Sequence, residues 1–243
     1  RHGPATRVRP RRVTTTNQTI PTGILLVAHG TRDEQGFQVS QGLRNAVATR
    51  FPDRETRLAF VDVRAPSPST VLNDWEVMDI TLVPVFLGAG FHVRTDIPAA
   101  LADHPHVRVT APLGPEPEII NALADRWRRT GAEVDRLVLG AAGSSDPRSV
   151  AQTHRAAELL SEALDHPVSA AFCTAATPRV ADVVDTRTGV IAHLLAPGHF
   201  HRRLLASGAT AVSDPIGVHN RLVDLLERRI RDVTEPAPGP RWA

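Results

Sequence analysis

The chain has 243 residues, of which 42% are hydrophobic and 22% are charged, a composition typical of a globular protein with one or two domains. It contains no apolar run long enough to span a membrane, and its single cysteine, Cys173, excludes an internal disulfide. The formal net charge is only +2, and five arginines lie in the first twelve residues, so the body of the protein lacks the basic charge typical of nucleic-acid-binding proteins. We therefore expect a cytoplasmic protein that binds neither membranes nor nucleic acid.

The two ends of the chain lack the hydrophobic periodicity of packed elements. Residues 1–21 are rich in Arg, Thr and Pro, and residues 234–243 contain three prolines within five residues. Such a composition buries too little apolar surface to offset the entropy of ordering. We predict a flexible leader over residues 1–21 and a frayed tail over residues 234–243.

The first half of the chain alternates strand patterns with helix patterns. Short apolar runs predict strands, and apolar residues at helical spacing predict helices. The predicted strands cover residues 24–28, 57–63, 80–87 and 107–110, and the predicted helices cover residues 33–50, 69–75, 93–102 and 116–129. This alternation is typical of a mostly parallel sheet with helices on its faces.

The second half repeats this pattern. Strands are predicted over residues 136–139, 168–172 and 189–195, and helices over residues 150–164 and 216–230. Marker residues recur at nearly constant separations: 113 residues from Gly30 to Gly143 and 112 from Pro66 to Pro178. The sequence thus predicts an internal duplication, with two similar doubly wound halves over residues 22–130 and 131–233 and a cleft between them.

His29 and His92 each directly follow a predicted strand of the first half. The carboxyl ends of parallel strands meet at one edge of a sheet, where ligands bind in open α/β folds. Two imidazoles at that edge predict an open site for one divalent metal of the Fe, Co, Ni, Cu or Zn type. The alternative is that each histidine caps a helix or satisfies backbone groups.

Further polar residues follow other strands. Asp62 ends the second predicted strand among apolar neighbours, which predicts a partly buried carboxylate suited to general-base chemistry. A helix cap or an ion pair with Arg64 is an equally good interpretation. Ser144 belongs to a turn that predicts a helix cap or an anion-binding site, and Asp96 is predicted to hold the start of the helix after His92.

The two predicted halves differ in chemistry at equivalent positions. Aligned by the repeat, His29 corresponds to Ala142, Asp62 to Thr174 and His92 to Phe200. We therefore expect the reactive groups in the first half and a degenerate copy in the second.

Three segments together resemble one family. They are residues 24–33 (ILLVAHGTRD), residues 62–67 with the Ala65-Pro66-Ser67 run, and residues 83–98 with the Gly-x-His and Asp-Ile-Pro pattern. The chain resembles the CbiX/SirB family of class II tetrapyrrole chelatases, in its long two-half form, over residues 22–232. The resemblance implies a lyase that inserts Fe²⁺ or Co²⁺, as substrate, into sirohydrochlorin in sirohaem or cobalamin biosynthesis, without an organic cofactor.

The resemblance also implies roles for individual residues. His29 and His92 would bind the incoming metal, and Asp62, where the family commonly has glutamate, would help to handle the metal or the pyrrole protons. The substrate is an octacarboxylate, so the candidates for holding its rim are polar and basic residues near the predicted edges: Arg94, Ser144, His199, His201, Arg202 and Arg203.

Two other functions fit the same sequence features. A non-catalytic carrier of tetrapyrrole or metal would share the fold, and a two-lobed periplasmic-type binding protein would share the cleft, although no signal peptide is visible. We expect a monomer or a weak homodimer.

Overall fold

The computed structural model describes residues 22–77 and 79–235. The predicted leader and residues 236–243 of the predicted tail lie outside the described residues. Within the described part of the chain, no helix combines the length and the apolar composition needed to cross a membrane.

The first half contains one four-stranded sheet with the order β2-β1-β3-β4, in which every pairing is parallel. At least one helix follows each strand along the chain, as the alternating pattern predicted. Its elements in chain order are β1 (Thr22–Ala28), α1 (Glu34–Arg50), β2 (Glu55–Phe60), α2 (Pro68–Asn73), β3 (Asp79–Pro84), a π-helical turn (His92–Asp96), α3 (Ile97–Ala100), β4 (Arg108–Val109) and α4 (Pro117–Arg128).

The second half contains a second parallel sheet with the equivalent order β6-β5-β7-β8. The prediction of two similar parallel-sheet halves is therefore confirmed. Its elements are β5 (Arg136–Ala141), α5 (Pro147–Leu164), β6 (Val168–Phe172), α6 (Val180–Val183), β7 (Thr188–His193), α7 (His199–Leu205), β8 (Ala211–Val212) and α8 (Asn220–Thr234).

The turns after β1 and β5 have the same backbone conformation. Gly30 has φ of 96° and Gly143 has φ of 98°, in the region that only glycine adopts without strain. A Cβ atom at Gly30 would lie 2.1 Å from the carbonyl oxygen of Asp62, and one at Gly143 would lie 1.8 Å from that of Thr174. Glycine is therefore required at both positions, because the loop that follows β2 or β6 passes against the turn in the same way in each half.

The last helix of each half packs against the other half. Helix α4 packs on α5 and β7, while α8 packs on α1 and β3. The ring of Trp127 in α4 covers Gly189 of β7, where an added Cβ would lie 2.2 Å from the indole. Residues of both halves, such as Leu26 and Leu139, consequently share one hydrophobic cluster, which holds the two sheets in a fixed relation. The predicted boundary near residue 130 follows the repeat in the chain, whereas the packing crosses it.

Several helical segments differ from the sequence prediction: α6 was not predicted, and α8 begins at Asn220, four residues after its predicted start. The helix predicted over residues 93–102 begins with the π-helical turn and ends at Ala100. No helix was predicted at α7, because only Leu204 is buried in its seven residues and so short a helix shows no apolar period.

Candidate active site

His29 and His92 lie together at the carboxyl edge of the first sheet. His29 follows β1, His92 opens the π-helical turn after β3, and β1 and β3 are hydrogen-bonded neighbours. The two imidazole ring centroids are 4.6 Å apart, and the ring planes are almost perpendicular at 86°. The pair has the proximity that a shared metal ion requires, while its role as a metal site stays a prediction.

The orientation of His92 is set by its own turn. The Nδ1 atom of His92 lies 2.5 Å from Oδ2 of Asp96, so the imidazole N–H donates to the carboxylate. The ring also stacks near Phe86, at 6.2 Å between centroids and 27° between planes. A hydrogen bond at Nδ1 leaves Nε2 as the nitrogen that can bind a metal, and the carboxylate fixes the tautomer and the orientation of the ring.

Asp96 therefore does not act as predicted. Its side chain makes no capping hydrogen bond at the start of α3. The π-helical turn instead brings the carboxylate of residue 96 to the imidazole four positions earlier. The prediction of a helix cap was wrong because it assumed an ordinary helix start at this position.

His29 is exposed, and its Nδ1 lies 3.1 Å from the carbonyl oxygen of Gly30. In the tautomer that donates this hydrogen bond, Nε2 again carries the lone pair. Both histidines can thus present the same ring nitrogen, and binding a metal would require little desolvation of His29.

Asp62 lies beside His29 but is not partly buried as predicted. Its backbone N–H donates to the carbonyl of His29 at 2.9 Å, and its Oδ1 accepts from the backbone of Val63 at 2.7 Å. The carboxylate is exposed because β2 ends at Phe60 and Val63, with φ of 51°, turns the chain outward. The carboxylate of Asp62 therefore lies on the solvent-exposed side of the site.

Two of the candidate arginines connect the edges of the two sheets. Arg94 lies 4.0 Å from Asp146, the residue that caps α5, and Arg202 in α7 pairs with Asp33, which caps α1. Both arginine side chains remain well exposed, at 48% and 65%. They lie where the carboxyl edges of the two sheets meet.

The remaining substrate-binding candidates divide into two groups. Ser144 faces the first half, since its Oγ lies 3.6 Å from the position of an added Cβ at Gly90. His199 is exposed at the start of α7. His201 and Arg203 are not brought to the cleft: the Nε2 of His201 lies 3.3 Å from the carbonyl of Ser213, and Arg203 lines a separate pocket of about 490 Å³. Because residues 199–205 form a helix, neighbouring side chains point about 100° apart, which the sequence pattern did not reveal.

Two residues of the second half that lie close to the site were not predicted from the sequence. Gln152 in α5 accepts a hydrogen bond from the backbone N–H of Ala89 at 2.8 Å, and so contacts the loop that carries His92. His193 ends β7 with 7% exposure, and burial lowers the pKa of its imidazole to about 4. The signal for His193 was a lone histidine at the end of an apolar strand, whereas no local signal marks Gln152.

The described residues contain no group of three or more His, Cys, Asp or Glu side chains arranged to hold a metal ion. The edge of the first sheet therefore offers two imidazoles only. Such a site would leave most coordination positions of an ion to water and to a second ligand. This arrangement suits an ion that is delivered and released better than one that is retained.

The fold is similar to that of solved chelatase structures. SirB from Bacillus subtilis with Fe³⁺ has a TM-score of 0.75 and 23% identity, over 88% of this chain and 96% of that chain. The sirohydrochlorin chelatase SirB from Bacillus subtilis subspecies spizizenii in complex with cobalt has a TM-score of 0.73 and 22% identity, over the same shares. At these identities, the similarity establishes the fold.

Curated relatives include chelatases of both one and two halves. The sirohydrochlorin ferrochelatase of Bacillus subtilis is 24% identical over 89% of this chain and 93% of its own length. The sirohydrochlorin cobaltochelatase of Methanothermobacter thermautotrophicus is 29% identical over 45% of this chain and 93% of its own length. That of Methanococcoides burtonii is 33% identical over 32% of this chain, a match that spans only 63% of the relative.

One family model matches the chain twice. The model, described as CbiX, covers residues 23–130 and again residues 136–233. Each match coincides with one structural half, and together they cover most of the sequence. The resemblance seen in the three motif segments is confirmed, and the chain belongs to the CbiX family.

Proposed function

We propose that this protein is a chelatase that inserts Fe²⁺ or Co²⁺ into sirohydrochlorin. The observation that carries the proposal is the pair formed by His29 and His92, 4.6 Å apart at the carboxyl edge of a CbiX-family sheet. The names of the curated relatives supply the substrate, since they are sirohydrochlorin cobaltochelatases and a ferrochelatase.

The two imidazoles first capture the hydrated metal. Neutral imidazole binds Fe²⁺ and Co²⁺ alike, and two such ligands hold an ion weakly enough to pass it on. The hydrogen bond from His92 to Asp96 keeps one ligand in a fixed orientation, so the ion enters a geometry that is set in advance.

Insertion exchanges one divalent ion for two protons. Four ring nitrogens of the tetrapyrrole replace the histidines and water around the metal, and two inner N–H groups lose their protons. Asp62, exposed beside His29, is the carboxylate that can accept a proton and pass it to solvent. Its side chain is one methylene shorter than the glutamate common in the family, so transfer through one water is consistent with its position.

Arginines at the cleft bind the carboxylates of the substrate. Arg94 and Arg202 now pair with Asp146 and Asp33 on a solvent-exposed surface. Exposed ion pairs contribute only about 0–1 kcal/mol each, so the substrate carboxylates can replace these partners at little cost. The cleft between the halves would then close around an anionic ring.

A multiple-turnover assay tests this function against a non-catalytic carrier. Sirohydrochlorin in tenfold excess over protein is mixed with Fe²⁺ or Co²⁺, and the absorption change of the ring is followed. A chelatase converts the whole pool faster than the uncatalysed reaction, whereas a carrier converts or sequesters one equivalent. A rate equal to that of the protein-free control would overturn the proposal.

We also propose, from the sequence alone, that the protein acts in the cytoplasm as a monomer or a weak homodimer. Sedimentation at micromolar concentration tests the oligomeric state. A stable trimer or larger assembly would contradict it.

A further inference from the structure

A cavity of about 110 Å³ lies at the carboxyl edge of the second sheet. Its walls come from the turn after β5, from the first turns of α5, from the end of β7, and from the loop after β3 in the other half. The residues that line it include Gly88, Ala142, Ser144, Ser149, Thr153 and His193. Its volume exceeds that of one water several times, so the cavity can take a group of several heavy atoms.

The cavity is polar on one side. Ser144 Oγ accepts from the backbone of Asp146 at 3.1 Å, which leaves its hydroxyl proton to donate elsewhere. Thr153 donates its hydroxyl proton to the carbonyl of Ser149 at 3.1 Å, which fixes its oxygen as an acceptor. The hydroxyl of Ser149 lies 3.0 Å from the position of an added Cβ at Gly88, so only glycine leaves this wall open.

His193 adds a buried nitrogen to this wall. Its Nε2 atom is buried and has no hydrogen-bond partner within residues 22–77 and 79–235. An unpartnered buried polar atom costs about 1–3 kcal/mol, and such atoms are rare in native structures. Since burial holds the pKa of this imidazole near 4, the ring is neutral at neutral pH and can donate one N–H to a ligand.

The duplication explains how the cavity arises. By the repeat, Ala142 occupies the place of His29 and Val150 that of Phe37, so two large side chains are replaced by smaller ones. His193 occupies the place of Val85, so a polar group is added where the first half has an apolar one. The second half has thus lost metal ligands at its edge and gained a polar recess.

The recess adjoins the cleft that holds the histidine pair. Gly88 lies in the loop that leads from β3 to His92, and Ser144 faces Gly90 in the same loop. A macrocycle that reaches His29 and His92 from the cleft would place its rim close to this loop.

We propose that this recess is a subsite for one carboxylate arm of the tetrapyrrole, held by hydrogen bonds from Ser144, Ser149 and His193. The inference rests on the proposed function and adds a recognition element in the half that lacks the histidines. No charged side chain lines the recess, so the carboxylate is held by neutral donors and by the amino end of the 18-residue helix α5. The capping carboxylate of Asp146 lies on the same helix end and limits how tightly the arm binds.

Equilibrium binding of metal-free sirohydrochlorin, followed by fluorescence quenching, tests the subsite. Ser149→Ala and His193→Phe should each weaken binding about five- to twentyfold. Their binding of Co²⁺ without tetrapyrrole should stay within twofold of the wild type. Ser69→Ala, an exposed serine on α2, is the matched control and should bind like the wild type.

The octamethyl ester of sirohydrochlorin separates recognition of the carboxylate from general damage. The ester lacks the charge that the donors recognise, so Ser149→Ala should bind it as well as the wild type does. Equal loss for the acid and the ester, or no loss for the acid in a variant with normal melting temperature, would overturn the subsite alone. A wild type that fails to bind sirohydrochlorin would overturn the proposed function, and the subsite with it.

Discussion

The two halves have nearly the same backbone at their carboxyl edges and different chemistry there. After β1 the chain presents His29, whereas after β5 it presents Ala142 on an equivalent glycine turn. The comparison shows that the turn geometry does not depend on the reactive side chain. The second edge contacts the first edge and does not repeat its side chains.

Two polar contacts join the edges of the two halves. Gln152 of α5 holds the backbone of Ala89, and Arg202 of α7 pairs with Asp33. The half without the histidine pair thereby contacts both loops of the site, since Ala89 lies in the loop that carries His92 and Asp33 lies in the loop that follows His29. A single half would leave both loops without these contacts.

The largest expected effect on activity comes from replacing His29 and His92 by the residue types at the equivalent positions of the second half. His29→Ala and His92→Phe should each lower the metallation rate on the order of a thousandfold, about 4 kcal/mol in transition-state free energy, because one ligand alone holds the ion poorly. The double variant should lose little more, since the two residues act as a unit. Steady-state metallation of sirohydrochlorin measures both.

His106→Ala is the control, because His106 is an exposed histidine on a surface loop. A His92→Phe variant that retained wild-type rates would show that the metal enters elsewhere.

Replacing the glycine in each turn by alanine tests whether the two turns are equivalent. Gly30→Ala and Gly143→Ala should each lower the free energy of unfolding by about 3 kcal/mol, because positive φ and a backbone clash combine. Gly131→Ala, at φ of 64° with open space around it, should cost only about 1 kcal/mol. Urea denaturation compares the three, and a tolerant Gly143 would show that the turns are not equivalent.

Acid should destabilise the protein through His193 of the second half. Burial lowers its pKa to about 4, while an unfolded histidine titrates near 6.5, so between these values only the unfolded state gains the proton. The contribution of His193 to stability is complete above pH 6.5 and is lost progressively as the pH falls towards 4, by about 2 kcal/mol at pH 5.

His193→Val installs the residue of the first half and should reduce the loss of stability between pH 7 and pH 5 by that amount. Unfolding free energies of both proteins at the two pH values measure the difference. Equal acid sensitivity in the variant would mean that another group is responsible.

The smallest expected effect on activity comes from removing the hydrogen bond between Gln152 of the second half and the loop that carries His92. Gln152→Ala removes one hydrogen bond to the His92 loop, worth about 1 kcal/mol, and should lower kcat about fivefold with the KM for sirohydrochlorin unchanged. Gln35→Ala, an exposed glutamine on α1, is the control. A rise in KM without a change in kcat would instead assign Gln152 to substrate binding.

Much of the fold and part of the site could be predicted from the sequence. The apolar runs locate the strands, the recurring glycines reveal the duplication, and a polar residue directly after a buried strand must lie at the carboxyl edge. His29 and His92 could therefore be paired before the structure was known. The exact ends of the helices could not be predicted from the apolar period alone. The start of α8, for example, is set by the side chain of His219, which caps the helix.

The two-sheet architecture and the edge on which the histidines lie can be predicted from the chain, because both follow from local periodicity and from the repeat. The directions of the side chains depend on how the elements pack and turn. Asp96 contacts His92 because the turn is π-helical, and Asp62 is exposed because Val63 turns the chain outward. The recess at His193 exists only where the loop of one half closes over the strand ends of the other, a contact between residues far apart in the chain that no local pattern encodes.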